Sequence, residues 1–327
     1  MTDRARTRAA ALSVASNTGL ITLKLVAGIV TGSVAILTEA AHSSIDLLAS
    51  LITLVSVRKA VQPADASHPY GHAKLENLAA AIEGMLILVG AAVIVYASIH
   101  RLVVGAHVDT LGFGIGVVAL SAIVNLVVSH YLYRRAAVTD SPALAGDAAH
   151  LRTDAFTSIG VVVGLTLVQA TGVVELDSVT ALVVATAIVA SGVRLVTSSS
   201  RVLVDEALPA DELDSVRSAI AQRAAPEVLG FHALRARRAG SRRYVDMHVQ
   251  FRSGTTLERA HELAHELQRA IRARLRGADV LIHLEPESAL RQVDGGGGAD
   301  REHDSEVPDV AVHEQQDRRH DADDNGH

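Results

Sequence analysis

Glu39-Ala40-Ala41-His42-Ser43-Ser44-Ile45-Asp46 and Asp147-Ala148-Ala149-His150-Leu151-Arg152-Thr153-Asp154 share one pattern, acid-A-A-H-x-x-x-D, and both sit inside long apolar runs. Positions three, four and seven apart fall on one face of a helix, so each copy projects an acid, an imidazole and a second acid along a single stripe. A charged group at membrane depth is costly and marks a functional site by default. What these stripes mean therefore depends on whether the surrounding runs cross a membrane.

Six apolar stretches precede Thr197: Leu12 to Val30, Ser33 to Val57, Leu75 to Ile99, Leu111 to Tyr133, Ala143 to Ala170 and Ser178 to Val196. Each is close to or above the roughly 20 residues that a helix needs to cross the hydrocarbon core. A soluble bundle would carry polar stripes along every helix, and the fourth and sixth stretches have almost none. The pattern predicts six transmembrane helices. The first follows Arg4, Arg6 and Arg8 but is longer than the core of a signal peptide, so it is expected to be retained.

Arg58, Lys59 and Lys74 lie between the second and third spans, Arg134 and Arg135 follow the fourth, and Arg101 alone falls on the opposite side. The positive-inside rule then places both termini in the cytoplasm of a multi-pass protein of the inner (plasma) membrane. With no cysteine, thiolate sites and disulfides are excluded, which leaves imidazole and carboxylate as the strong metal ligands. The two spans run in opposite directions, so His42 and Asp46 can meet His150 and Asp154 near mid-membrane. Two nitrogens and two carboxylate oxygens suit tetrahedral Zn²⁺. A polar network holding helices together is the competing reading, but such networks use Ser, Thr, Asn or Gln. Glu39 and Asp147 fall at opposite mouths of the site, to attract a cation or simply to be solvated. Lys24 and Glu83, each alone in its span, read as a structural ion pair or as solvated positions.

The texture changes after the sixth span. Residues 205–288 carry charge at ordinary density and read as helix Asp211 to Arg223, strand Val228 to Arg237, strand Tyr244 to Phe251, helix Leu257 to Leu275 and strand Asp279 to Leu284. The expected organisation is a six-helix transmembrane domain at 1–204, a small cytoplasmic α/β metallochaperone-like domain at 205–288, and a disordered His- and acid-rich tail at 289–327. Asp65, His68 and His72, within eight residues and beside Gly71, offer one oxygen and two nitrogens to an ion, or form a solvated loop.

Taken together, the two H-x-x-x-D pairs and the loop PADASHPYGHAKLE, Pro63 to Glu76, resemble the cation diffusion facilitator family, particularly its bacterial zinc exporters, over about Leu12 to Pro286. The resemblance implies a transport site at His42, Asp46, His150 and Asp154, with His42 where many bacterial members have Asp. It also implies a loop site at Asp65, His68 and His72, and a cytoplasmic site at His232, His248, His261, His283 and Glu285, the last where Asp is common. Lys74 and Asp205 resemble a charge pair at the family's dimer interface. Exchange of metal for protons by alternating access, in a homodimer, is implied too.

His261-Glu262-Leu263-Ala264-His265 matches the H-E-x-x-H pattern of zinc proteases, yet a domain of this size has little mass for a peptide cleft, and proteolysis is not expected. Leu257, Ala260, Leu263, Ala264, Leu267, Ile271 and Leu275 form the buried stripe of that helix. The arginines Arg235, Arg237, Arg238, Arg242 and Arg243 flank Gly240 and read as a solvated hairpin or a lipid contact, and they lack the aromatic surface that nucleic acid would need. The tail histidines His303, His313, His320 and His327 read as solvated. The favoured function is proton-coupled efflux of a divalent metal, most simply Zn²⁺, although Cd²⁺, Fe²⁺ and Mn²⁺ also fit an N₂O₂ set. The alternative is a membrane-anchored cytoplasmic metal sensor, which would have no need of ligands at mid-membrane.

Overall fold

The computed structural model describes residues 2–31, 34–104, 114–173, 175–223 and 225–287. The tail expected at 289–327, with its four histidines, lies outside the described residues, and so do the side chains of Glu39 and His42. The chain divides into two compact units, 1–206 with the short segment Arg238–Arg242, and 207–237 with 243–327.

The first unit is built of six long helices: α1 Thr2–Thr31, α2 Val34–Ala60, α3 Lys74–Val104, α4 Gly114–Thr139, α5 Pro142–Thr171 and α6 Glu175–Leu203. By length and composition, α1, α3 and α6 are long and apolar enough to cross a membrane. Closely packed pairs are α3 with α6, α4 with α5 and α1 with α2, while α5 also touches α2, α3 and α6. That central position places the second acid-and-histidine stripe against three neighbours. The start of α5 is fixed by Ser141, whose hydroxyl accepts from the Leu144 amide, followed by Pro142 in the first turn; Gly172 at φ 76° closes it.

Where α3 crosses α6, glycine faces glycine. A Cβ at Gly84 would stand 2.7 Å from Val196 Cγ2, 3.0 Å from the Val196 amide nitrogen and 3.3 Å from the Gly192 carbonyl. Close backbone approach through small residues is how apolar helices gain contact where lipid competes equally for their side chains.

The second unit follows the expected α-β-β-α-β order: α7 Ala210–Ala221, β1 Val228–Ala239, β2 Arg242–Phe251, α8 Leu257–Arg274 and β3 Ala278–Pro286. The sheet order is β1-β2-β3, with β2 and β3 parallel and His248 opposite His283. Val245, Met247, Val249 and Phe251 of β2 pack with Val216 and Ile220 of α7 and Leu263, Leu267 and Ile271 of α8 in one apolar core. Side chains alternate along a strand, so His248 falls on the other face of the sheet. In β1, Phe231 and Leu234 both pack against the core, although they are three residues apart. Ala233 between them takes φ 49°, a bulge-like irregularity that resets the alternation.

Two expectations about this unit change. Leu257, placed in the α8 stripe, is exposed. Arg243, placed among solvated arginines, is 7% exposed, and its guanidinium forks onto Glu212, Nε to Oε2 at 2.9 Å and Nη2 to Oε1 at 2.7 Å. The cost of burying a planar cation is met by this bidentate pair and by a bond to the Arg276 carbonyl.

Candidate metal sites

In the helical unit, Asp46 of α2 and His150 and Asp154 of α5 offer ligand atoms that lie within 4.8 Å of one another. His150 Nε2 is 3.3 Å from Asp46 Oδ1 and 3.7 Å from Asp154 Oδ2. Asp46 and His150 are buried. His42 belongs to α2 by its backbone, but its side chain lies outside those described.

Sequence reading missed what surrounds this cluster. Glu83 of α3 is completely buried, accepts from Thr53 Oγ1 at 3.1 Å, and stands with Oε2 3.7 Å from His150 Nδ1. Asp147 is also fully buried, so it lines no open mouth, and its Oδ1 accepts from Ser50 Oγ at 3.2 Å. Ser50 receives Asn17 Nδ2 at 2.6 Å, and Asn17 also donates to the Asp46 carbonyl at 3.3 Å. These bonds tie α1, α2 and α5 together beside the cluster. Lys24 is buried as well and donates to Ser43 Oγ at 2.7 Å. A lone acid in an otherwise apolar span was the one available signal for Glu83, whereas Asn17, Ser50 and Thr53 carry no signature by themselves.

In the loop before α3, Asp65 Oδ2 is 3.3 Å from His72 Nε2, and Asp65 Oδ1 is 3.3 Å from His68 Nδ1. Oδ1 is also gripped by the Ser67 hydroxyl at 2.8 Å and by the amides of Ser67 and His68 at 2.9 and 2.7 Å. The Ser67 hydroxyl and then the His68 amide hold the Asp65 pKa at about 2, below the ordinary 3.8. Its carboxylate stays ionised at any physiological pH, with Oδ2 turned to His72. Gly71 at φ 82° supplies the reversal that brings His72 back over Asp65.

On the helix-free face of the sheet, His232 Nε2 and His248 Nδ1 each lie 2.7 Å from a different oxygen of Glu285. Partial burial raises the Glu285 pKa, but hydrogen bonds from the two imidazoles outweigh it and leave the carboxyl below its ordinary value. His283 lies beside His248, with ring centroids 4.8 Å apart and planes tilted by 52°. His261 is not brought into this group; it meets His265 on the exposed side of α8. Lys74 Nζ bonds Asp205 Oδ1 at 2.6 Å, so the two residues do form a pair, within the helical unit.

A buried cluster of two carboxylates and an imidazole inside a bundle of long apolar helices, in a chain that also carries a small α/β unit, is the arrangement expected of a membrane transporter for metal cations. Residues 10–204 match the model of the cation efflux transmembrane domain, and residues 208–287 match that of the cation efflux protein cytoplasmic domain. The chain belongs to the cation diffusion facilitator family of metal exporters. It is 34% identical over 286 residues to the uncharacterized transporter sll1263 of Synechocystis, covering 88% of this chain and 92% of that one. To the cation-efflux pump FieF of Pectobacterium carotovorum it is 34% identical over 274 residues, 83% of this chain and 89% of that one. The metal-bound C-terminal domain of the CzcD transporter from Thermotoga maritima is 27% identical and aligns with 23% of this chain and 87% of its own, at a TM-score of 0.22. The protein is thus a divalent-metal efflux transporter of the membrane and not an enzyme.

Proposed function

We propose that this exporter carries Zn²⁺ out of the cytoplasm in exchange for protons, as a homodimer in the inner membrane with both termini cytoplasmic. The observation that carries the reading is the convergence of Asp46 from α2 with His150 and Asp154 from α5 in a buried position. His42 is assigned the fourth ligand position, one α2 turn before Asp46.

Imidazole and carboxylate together offer the borderline and hard donors that Zn²⁺ accepts in tetrahedral geometry. Proton coupling follows from the same donors. An imidazole binds metal only when neutral, so a cation and a proton compete for His150, and release of one favours capture of the other. Alternating access then exchanges them across the membrane. Dimerisation through the α/β unit is supported by the match to the cytoplasmic domain of the family. The three-residue loop and sheet clusters are assigned resident Zn²⁺, since each brings together two imidazole nitrogens and a carboxylate.

The test is Zn²⁺ flux in proteoliposomes under an imposed pH gradient. Wild-type protein is expected to move Zn²⁺ against its gradient and to move protons the other way, and Asp154→Ala is expected to abolish both fluxes while remaining dimeric. Zn²⁺ flux indifferent to the pH gradient would sink the antiport assignment, and absence of any flux would favour an anchored metal sensor.

A further inference from the structure

Arg152 is a charge within α5 that none of the sites above uses. It stands two positions from both His150 and Asp154, hence about 200° round the helix from each, on the side turned away from the ligand cluster. That side is the exposed one. Phe156, Ile159 and Val163 continue from Arg152 at helical spacing, and all three are exposed.

A guanidinium on the lipid side of a membrane-length helix needs a partner, because hydrocarbon solvates no charge. The Arg152 Cζ lies 5.0 Å from the ring centroid of Tyr133, itself an exposed residue of α4. This contact is within cation–π range but accepts none of the five N–H donors. Among the described residues, no carboxylate pairs with Arg152. Side chains lean towards the N-terminus of their helix, which for α5 is the turn from α4, so the Arg152 stem leans towards the membrane boundary on that side. Arg134, also exposed, follows Tyr133 directly, and α4 carries exposed Ile123 and Val127 at helical spacing towards it.

We propose that Arg152, Tyr133 and Arg134 form a headgroup site for an anionic phospholipid, in the leaflet on the side of the α4–α5 turn, which is the cytoplasmic leaflet in the topology proposed above. The phosphodiester accepts two N–H bonds from the planar fork of Arg152, a match of geometry that an ammonium group lacks. Arg134 adds a second positive charge, and the acyl chains lie along Phe156, Ile159 and Val163. Charge selects the occupant: a zwitterionic lipid brings its own cation and leaves the two guanidinium groups uncompensated.

The test is native mass spectrometry of the full-length protein in detergent, with dioleoylphosphatidylglycerol or dioleoylphosphatidylcholine added at the same concentration, on wild type, R152Q, R152K, R134Q and K59Q. Wild type is expected to retain phosphatidylglycerol in preference to phosphatidylcholine. R152Q and R134Q should each weaken that retention by about fivefold. R152K, which keeps the charge without the fork, should fall between R152Q and wild type. K59Q removes one positive charge from the last turn of α2 and should leave retention unchanged. Wild-type melting temperatures in phosphatidylcholine confirm that the variants are folded. Absence of a preference in wild type, or equal losses in K59Q and R152Q, would overturn the proposal. Loss of the dimer in R152Q with lipid retention intact would give this face to a second copy of the chain and overturn it as well. None of these readouts uses Zn²⁺ or a pH gradient, so failure here is distinct from failure of the exchange reaction.

Discussion

Glu83 Oε2 and His150 Nδ1 face each other at 3.7 Å across the contact between α3 and α5, and neither atom has a hydrogen-bond partner among the described residues. Both residues are buried, and the other oxygen of Glu83 is held by Thr53. With its Nδ1 side turned to a carboxylate, the ring presents Nε2 to Asp46 and Asp154, which is the orientation that a cation between the acids requires.

Glu83→Ala is therefore expected to lower Zn²⁺ affinity at the membrane site by about 10- to 100-fold, the range found when an outer-shell partner is removed. Glu83→Gln, which keeps an acceptor oxygen of the same shape, should recover part of that loss. The check is the KM for Zn²⁺ flux in proteoliposomes, together with the apparent melting temperature of each variant. Wild-type KM in Glu83→Ala would reduce Glu83 to a packing group.

The crossing of α3 and α6 supplies a matched pair of glycines for a stability test. Gly84→Ala pushes a methyl against the Val196 amide nitrogen, while at Gly90 on the same helix a Cβ meets nothing within 4 Å. Overpacking at Gly84 should cost about 1–3 kcal/mol. Gly90→Ala should be neutral or gain up to about 1 kcal/mol from helix propensity. Thermal unfolding in detergent measures both; equal shifts would mean that the helices do not approach as described.

In the α/β unit, Arg243→Ala leaves Glu212 without its buried partner and is expected to destabilise that unit by roughly 3–5 kcal/mol. Arg243→Lys keeps the charge but cannot reproduce the two-pronged contact, so it should fall between wild type and Ala. Resistance to proteolysis between residues 207 and 287 of the full chain reports the loss. Arg243→Ala with unchanged resistance would show the fork to be dispensable.

The sheet cluster has a defined pH response. Because the Glu285 pKa lies below its ordinary value, its contribution to stability is present above about pH 4.5 and is lost only as pH falls through the lowered value. Glu285 therefore stays ionised across pH 8 to 5.5, and any loss of metal affinity in that interval comes from the imidazoles. With His232 and His248 both required to be neutral, the Zn²⁺ dissociation constant should rise by up to about two decades per pH unit at the acid end. In His248→Gln the slope should fall towards about one. A wild-type slope near zero, measured by calorimetry on the full chain, would contradict the ligand assignment.

Six apolar runs, two repeated acid-and-histidine stripes, the Asp65, His68 and His72 loop and the α-β-β-α-β order were all legible in the sequence. Each is a local property: hydropathy over one helix length, the 3.6-residue turn or the two-residue strand repeat places these groups without knowledge of any neighbour. What the tertiary structure decided was which groups meet. Glu83 and Asp147 are buried where α3 and α5 approach closely through small residues, with Gly146 against Ala80, and no periodicity encodes a crossing. Arg243 reads as a surface charge until α7 brings Glu212 to it. The family resemblance implies His261 as a partner of the strand histidines, whereas the tertiary structure brings it to His265, whose ring is held by Gln268, an amide turned by a carbonyl on a different element. Long-range pairings of this kind depend on the summed packing of the whole chain, which is why the ligand types were visible in the sequence and the orientation of their supports was not.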